Sequence, residues 1–208
     1  MDLSARALPL VVAAFLGAGC GCGGGDGGDA SLVLSVTPVD MVGPFDAMTQ
    51  TYGDVRFDDP VLVPFGADLG GGDLSPAFEY ITVPDAPVRA ATHGVVEAVE
   101  FDAGPMDWEI RISQGSRWLL VYDHVLDVAV GVGDDVEAGD VLGTSGNWSM
   151  TAGRTELQVN DEDAGVSRCP LEFGTAEFVD LHEDLRAAVD ASASGPLPSL
   201  CLEDTVVP

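Results

Sequence analysis

Between residues 88 and 159 apolar and polar side chains alternate, as in Trp108-Glu109-Ile110-Arg111-Ile112, in short runs divided by Gly and Asp turns. A two-residue period sends neighbouring side chains to opposite faces, so the pattern predicts antiparallel strands with one face buried. A helical period is missing there. It appears from 176 to 191, where Phe178, Leu181, His182, Leu185 and Val189 fall on one face and predict a helix. His182 on that apolar face reads as a packing residue, and His182-Glu183 lacks the second His of a metalloprotease helix. The predicted class is mainly β, an antiparallel sheet with one C-terminal helix.

The start of the chain follows a different pattern. Residues 7–16 are uninterruptedly apolar but too few to span a bilayer, and the small residues Gly17, Ala18 and Gly19 precede Cys20. This predicts a signal peptide over 1–19 with a lipobox-like end and lipidation at Cys20, although Leu16 lies four residues before the cysteine rather than the usual three. Residues 20–30 are dominated by glycine and predict a flexible tether. They are no phosphate loop, because a strand does not lead into them. The remaining divisions are an N-terminal extension over 31–74, a β domain over 75–173, and a helix and tail over 174–208. With Cys20 assigned to lipid and Cys22 to the tether, Cys169 and Cys201 remain to close a disulfide in an oxidising compartment.

Charge narrows the function classes. Of 208 residues 35 are acidic and 8 basic, giving a formal charge of −27, and every basic residue is Arg. Such a surface repels phosphate, which excludes nucleic-acid binding, and it would meet a membrane only through a lipid anchor. The absence of lysine excludes biotinyl and lipoyl carriers, Schiff-base chemistry and the Walker loop, all of which need a primary amine.

Two Gly-Asp turns carry more specific information. Val132-Gly133-Asp134-Asp135-Val136 and Gly139-Asp140-Val141-Leu142-Gly143 repeat a strand, a tight turn and a strand, with valines expected inward and acids outward. The pattern resembles the duplicated hybrid motif of LytM or lysostaphin-type zinc peptidases. The order of segments agrees over about residues 75–173: Ala86-Pro87-Val88 and Gly94-Val95-Val96 ahead, Tyr122-Asp123-His124 in the middle, and Cys169-Pro170-Leu171-Glu172-Phe173 behind.

That family takes three zinc ligands from a His-x-x-x-Asp segment and a His-x-His segment, with a Tyr-x-His segment assisting catalysis. Counting back from Pro87, the first segment falls on Ser75 and Glu79, and the second on Arg154 and Glu156. His124, after Tyr122, is the surviving histidine. Ser75 is a poor zinc ligand and a guanidinium competes with a cation for carboxylates. The candidate cleft is therefore Ser75, Glu79, Tyr122, His124, Arg154 and Glu156, with an Arg154 ion pair to Glu79 and Glu156 in place of metal. On strand parity Arg154, Glu156 and Gln158 line the cleft, Thr155, Leu157 and Val159 enter the core, and Ser75 and Glu79 share a face.

The resemblance implies an exported protein, lipid-anchored to a bacterial envelope at the outer membrane or cell surface or else secreted. Its degenerate domain would bind peptidoglycan or a cell-wall hydrolase and use no cofactor. The alternative is an active zinc metalloendopeptidase acting on cell-wall peptides through Glu79, Glu156 and His124.

Overall fold

A computed structural model describes residues 31–58, 60–192, 197, 199–201 and 207–208. The expected signal peptide, the tether and Cys20 lie outside the described residues. Five short strands open the chain: β1 (Thr51–Tyr52), β2 (Val55–Arg56), β3 (Leu62–Val63), β4 (Asp68–Gly70) and β5 (Asp73–Leu74). The main sheet follows with β6 (Ala77–Thr82), β7 (Pro87–Arg89), β8 (Gly94–Asp102), β9 (Asp107–Gln114) and β10 (Trp118–Leu126). It continues with β11 (Asp135–Val136), β12 (Val141–Asn147), β13 (Gly153–Asp161) and β14 (Val166–Arg168). A short 3-10 turn at Pro170–Phe173 leads into α1 (Ala176–Ala191), with the bounds that the apolar spacing predicts.

The long strands run antiparallel in the order β1-β2-β6-β13-β12-β10-β9-β8-β11, with β13 also pairing β10 and β14. The class is therefore the expected one, mainly antiparallel β with a single helix among the described residues. Alternation governs β13 throughout: Gly153, Thr155, Leu157, Val159 and Asp161 are buried, and the residues between them are partly exposed. Arg154, Glu156 and Gln158 thus share the outer face, as parity requires.

The Gly-Asp turns depart from expectation. Val136 and Leu142 are buried, whereas Val132 is 68% and Val141 42% exposed. The reason is topological. β11 pairs with β8 while β12 pairs with β7, β10 and β13, so the two segments do not form one hairpin with a common inner face.

The core takes residues from the whole described chain. Leu34, Val39, Met41, Val55, Leu62 and Phe65 of the 31–74 extension are fully or almost fully buried in the same cluster as Ile110, Leu120, Leu157 and Phe178. The α1 N-cap is Thr175, whose side chain accepts from the Phe178 amide. His182 packs against the Phe78 and Phe178 rings and is completely buried. It donates Nδ1–H to the Phe178 carbonyl at 2.8 Å and accepts from the Tyr80 hydroxyl at 2.8 Å through Nε2. The disulfide between Cys169 and Cys201 is present, with Cα atoms 5.9 Å apart.

Candidate functional site

Glu79 and Glu156 stand directly opposite one another in the β6–β13 ladder. Like charges in such a cross-strand pair repel, and each carboxylate has acquired its own partner. Arg154, two residues along the same face, reaches Glu79 Oε1 at 3.3 Å. Glu156 Oε1 lies 3.4 Å from His124 Nε2. The expected single pairing of Arg154 with both carboxylates is therefore divided in two. Burial, and next the charge of Glu156, push the Glu79 carboxyl above its ordinary range, while Arg154 and His124 pull it back. The Arg154 guanidinium also lies 5.3 Å from the Trp148 ring centre, and its buried Nε has no partner among the described residues.

His124 owes its position to an irregularity in β10. Tyr122 pairs with Ile110 and Val125 with Trp108, so two residues, Asp123 and His124, occupy the space opposite Glu109. That is a β-bulge, and it bends the strand and re-aims side chains. His124 adopts φ 56°, in the left-handed region. The Thr155 hydroxyl donates to the Asp123 carbonyl at 3.0 Å and ties the bulge to β13.

Asp107 completes the arrangement. His124 donates Nδ1–H to Asp107 Oδ2 at 2.9 Å, and the Asp107 side chain is 1% exposed. Gly146 on β12 permits this approach, since a Cβ there would stand 2.9 Å from Asp107 Oδ2 and 3.0 Å from His124 Cβ. Burial alone would lower the basicity of His124. The Glu156 hydrogen bond, the charge of Asp123 and the Asp107 hydrogen bond outweigh it and raise the imidazole above its usual value. Asp123 is raised by its own burial, which the neighbouring His124 only partly offsets.

Two expected cleft residues lie elsewhere. Tyr122 is fully buried and its hydroxyl accepts from the Ala91 amide at 2.7 Å. Parity explains the difference: the bulge falls between Tyr122 and His124, so residues two apart no longer share a face. Ser75 precedes β6, is 5% exposed, and donates Oγ–H to the Ala77 carbonyl at 2.9 Å. Asp107 and Asp123 are the site residues that sequence reasoning missed. Asp107 has the parity of Glu109 and Arg111 and reads as an outward acid; in the structure it is buried against His124 and close to Gly146.

Residues 76–164 match the model of peptidase family M23. The match supports the resemblance drawn from the Gly-Asp turns, and it takes in every cleft residue except Ser75. Among curated proteins no match is found. Solved structures similar to the chain include the catalytic domain of the antimicrobial peptidase lysostaphin from Staphylococcus simulans, at 22% identity over 53% of this chain and 88% of that one, with a TM-score of 0.44. A prophage-encoded M23 protein, EnpA, from Enterococcus faecalis is similar at 22% identity over 48% and 78%, with a TM-score of 0.42. The SpoIIQ-SpoIIIAH pore-forming complex contains a chain similar at 17% identity over 73% and 98%, with a TM-score of 0.48.

M23 peptidases normally use zinc, and the spacing of the sequence assigns its ligand positions to Ser75, Glu79 and Glu156. Ser75 turns its hydroxyl to a backbone carbonyl, Glu79 carries a guanidinium, and Glu156 faces an imidazole. Three free donors converging on one point, which a zinc site requires, are not offered there.

Proposed function

We propose that this chain is an exported, lipid-tethered envelope protein whose M23-like domain holds cell-wall peptides without cleaving them. The observation that carries the reading is the Arg154–Glu79 ion pair, which spends a family ligand position on a guanidinium. A hydrolase of this class needs a metal to acidify its water, because unassisted water is a poor nucleophile at neutral pH. Trp148, 43% exposed beside Arg154, supplies an aromatic surface at the rim of the cleft. A ring of that kind packs well against peptide stems and sugar faces.

The test is co-sedimentation of the purified chain with insoluble peptidoglycan, followed by labelling of newly exposed amino groups. Retention in the pellet with no new amino groups is expected. Release of amino groups above a boiled control, lost in Glu156→Gln, would establish an active endopeptidase instead. Failure to sediment would leave a cell-wall hydrolase as the occupant, to be sought by cross-linking through Trp148. Anchoring is tested separately: Cys20→Ser should move the protein from the membrane to the soluble fraction, and unchanged fractionation would remove Cys20 as the anchor.

A further inference from the structure

β9 begins at the cleft with Asp107 and ends at Gln114, about 20 Å away, since each strand residue advances about 3.3 Å. At that far end a separate cavity of about 470 Å³ opens between the start of β8, the end of β9 and β11. Its lining includes His93, Val95, Gln114, Asp135, Val136 and Glu137. The volume falls within the range of small-ligand sites, roughly 300–1,000 Å³.

Two independent observations point to an occupant. Gln114 is 5% exposed, and its Nε2–H groups donate to His93 Nε2 at 3.1 Å and to Thr92 Oγ1 at 3.4 Å, yet its Oε1 has no partner among the described residues. A buried amide oxygen is ordinarily satisfied, and here the chain supplies no donor for it. The second observation is the character of the lining. Asp135 and Glu137 bring two carboxylates, and no arginine stands among the lining residues. An imidazole that accepts from Gln114 carries no charge, so the cavity is negative. Val95, 40% exposed, and the buried Val136 add an apolar strip. His93, Asp135 and Glu137 do not converge closely enough to hold a metal ion.

We propose that this cavity binds the side-chain ammonium of a lysine-like residue on another molecule. The aliphatic stem lies along Val95 and Val136, as such stems do on apolar surface, and the charged head meets Gln114 Oε1, Asp135 and Glu137. A primary ammonium has three donors, one for each of these acceptors. An anion would face two carboxylates instead. The chain contains no lysine, so it cannot fill the cavity with a lysine of its own. The cavity lies apart from the Arg154 cleft, and none of the outcomes below involves peptidoglycan.

The experiment is titration of the purified chain with Nα-acetyl-lysine methylamide, followed by the His93 ring signals and the Gln114 side-chain amide signals. Both should move along one saturable curve, with the His124 and His182 rings unmoved. Nα-acetyl-norleucine methylamide has the stem without the charge, and alanine methylamide has an ammonium without the stem. Each should bind at least tenfold more weakly. The double variant Asp135→Asn, Glu137→Gln should weaken binding of the lysine probe at least fivefold, and Gln114→Met should weaken it as well. The same change of charge in Asp68→Asn, Asp73→Asn, on the exposed β4 and β5, should leave it unchanged. Absence of a saturable shift, shifts at His124 in place of His93, equal binding of alanine methylamide, or equal losses in the two double variants would each overturn the proposal. Should Gln114→Met fail to fold, the wild-type signals and the two double variants decide.

Discussion

Arg154 is the residue on which the cleft's charge balance turns. It lies between solvent and core, its side chain 21% exposed and that of Glu79 12% exposed. Removing the guanidinium in Arg154→Ala leaves Glu79 opposite Glu156 without a counter-ion, at a cost of about 1–3 kcal/mol, less than for a fully buried pair. The pH dependence has a definite sign. Glu79 is already raised above its unfolded value by burial and by Glu156, and loss of Arg154 raises it further. A carboxyl raised in the native state takes up protons on folding, so acidification favours the fold. Urea unfolding should therefore find the variant's deficit largest at neutral pH and smaller near pH 5; equal deficits would mean that Arg154 does not neutralise Glu79. His182 gives the opposite slope. Burial lowers its pKa to about 4, so above the ordinary imidazole value it stabilises the fold, and that contribution is lost as pH falls from 6.5 towards 4. The loss amounts to about 3 kcal/mol. A His182→Gln variant keeps a donor and an acceptor for Phe178 and Tyr80 but should lack this part of the acid sensitivity; parallel stability curves for the two proteins would refute the assignment.

At the level of elements, the β10 bulge controls what β9, β12 and β13 can build. Gly146 is a steric requirement of that bulge. Gly146→Ala places a methyl against Asp107 Oδ2, the His124 carbonyl and His124 Cβ, all at 3.0 Å or less, with two of the three neighbours too rigid to yield. The expected cost is about 1–3 kcal/mol, as for other overpacked sites. It should be accompanied by a shift of the His124 ring signals that a remote core variant of equal stability does not produce. A thermal midpoint and ring spectrum identical to wild type would show that β12 and β10 separate freely. The same bulge marks the limit of what the sequence discloses. Parity correctly placed Arg154, Glu156 and Gln158 on one face of β13, and apolar spacing located α1, because both signals are local. Tyr122 was misplaced because one extra residue inverts parity, and nothing in Tyr122-Asp123-His124 announces the insertion. Asp107 was invisible for a different reason: its neighbours in the fold, His124 and Gly146, are distant in sequence, the second by about forty residues.

Across the whole molecule, isolated bridges tie the 31–74 extension and the C-terminal tail into the fold. The 31–74 extension contributes Phe65, whose amide donates to the Leu200 carbonyl at 3.1 Å, and Phe65 and Cys201 form an isolated parallel bridge. Leu34 pairs with Gly174 in the same manner, ahead of α1. The tail is held by more than its disulfide: Leu200 and Val207 are buried and the Ser167 amide donates to the Val207 carbonyl at 2.7 Å. The Cys169–Cys201 link therefore closes a loop of 32 residues around α1 whose far end is also held by backbone hydrogen bonds. In the chain-entropy account a loop of this size contributes about 3–4 kcal/mol by restricting the unfolded chain. Replacing both cysteines by serine should lower stability by that amount, and the cleft should survive, because no cleft side chain belongs to the closed loop. The check is urea unfolding of the double variant beside the oxidised protein, with the His124 ring signals recorded in both. A stability loss well under 1 kcal/mol would mean that the link does not restrict the unfolded chain as the chain-entropy account requires. Displaced His124 signals would mean instead that α1 and the tail set the geometry of the cleft from the far side of the core.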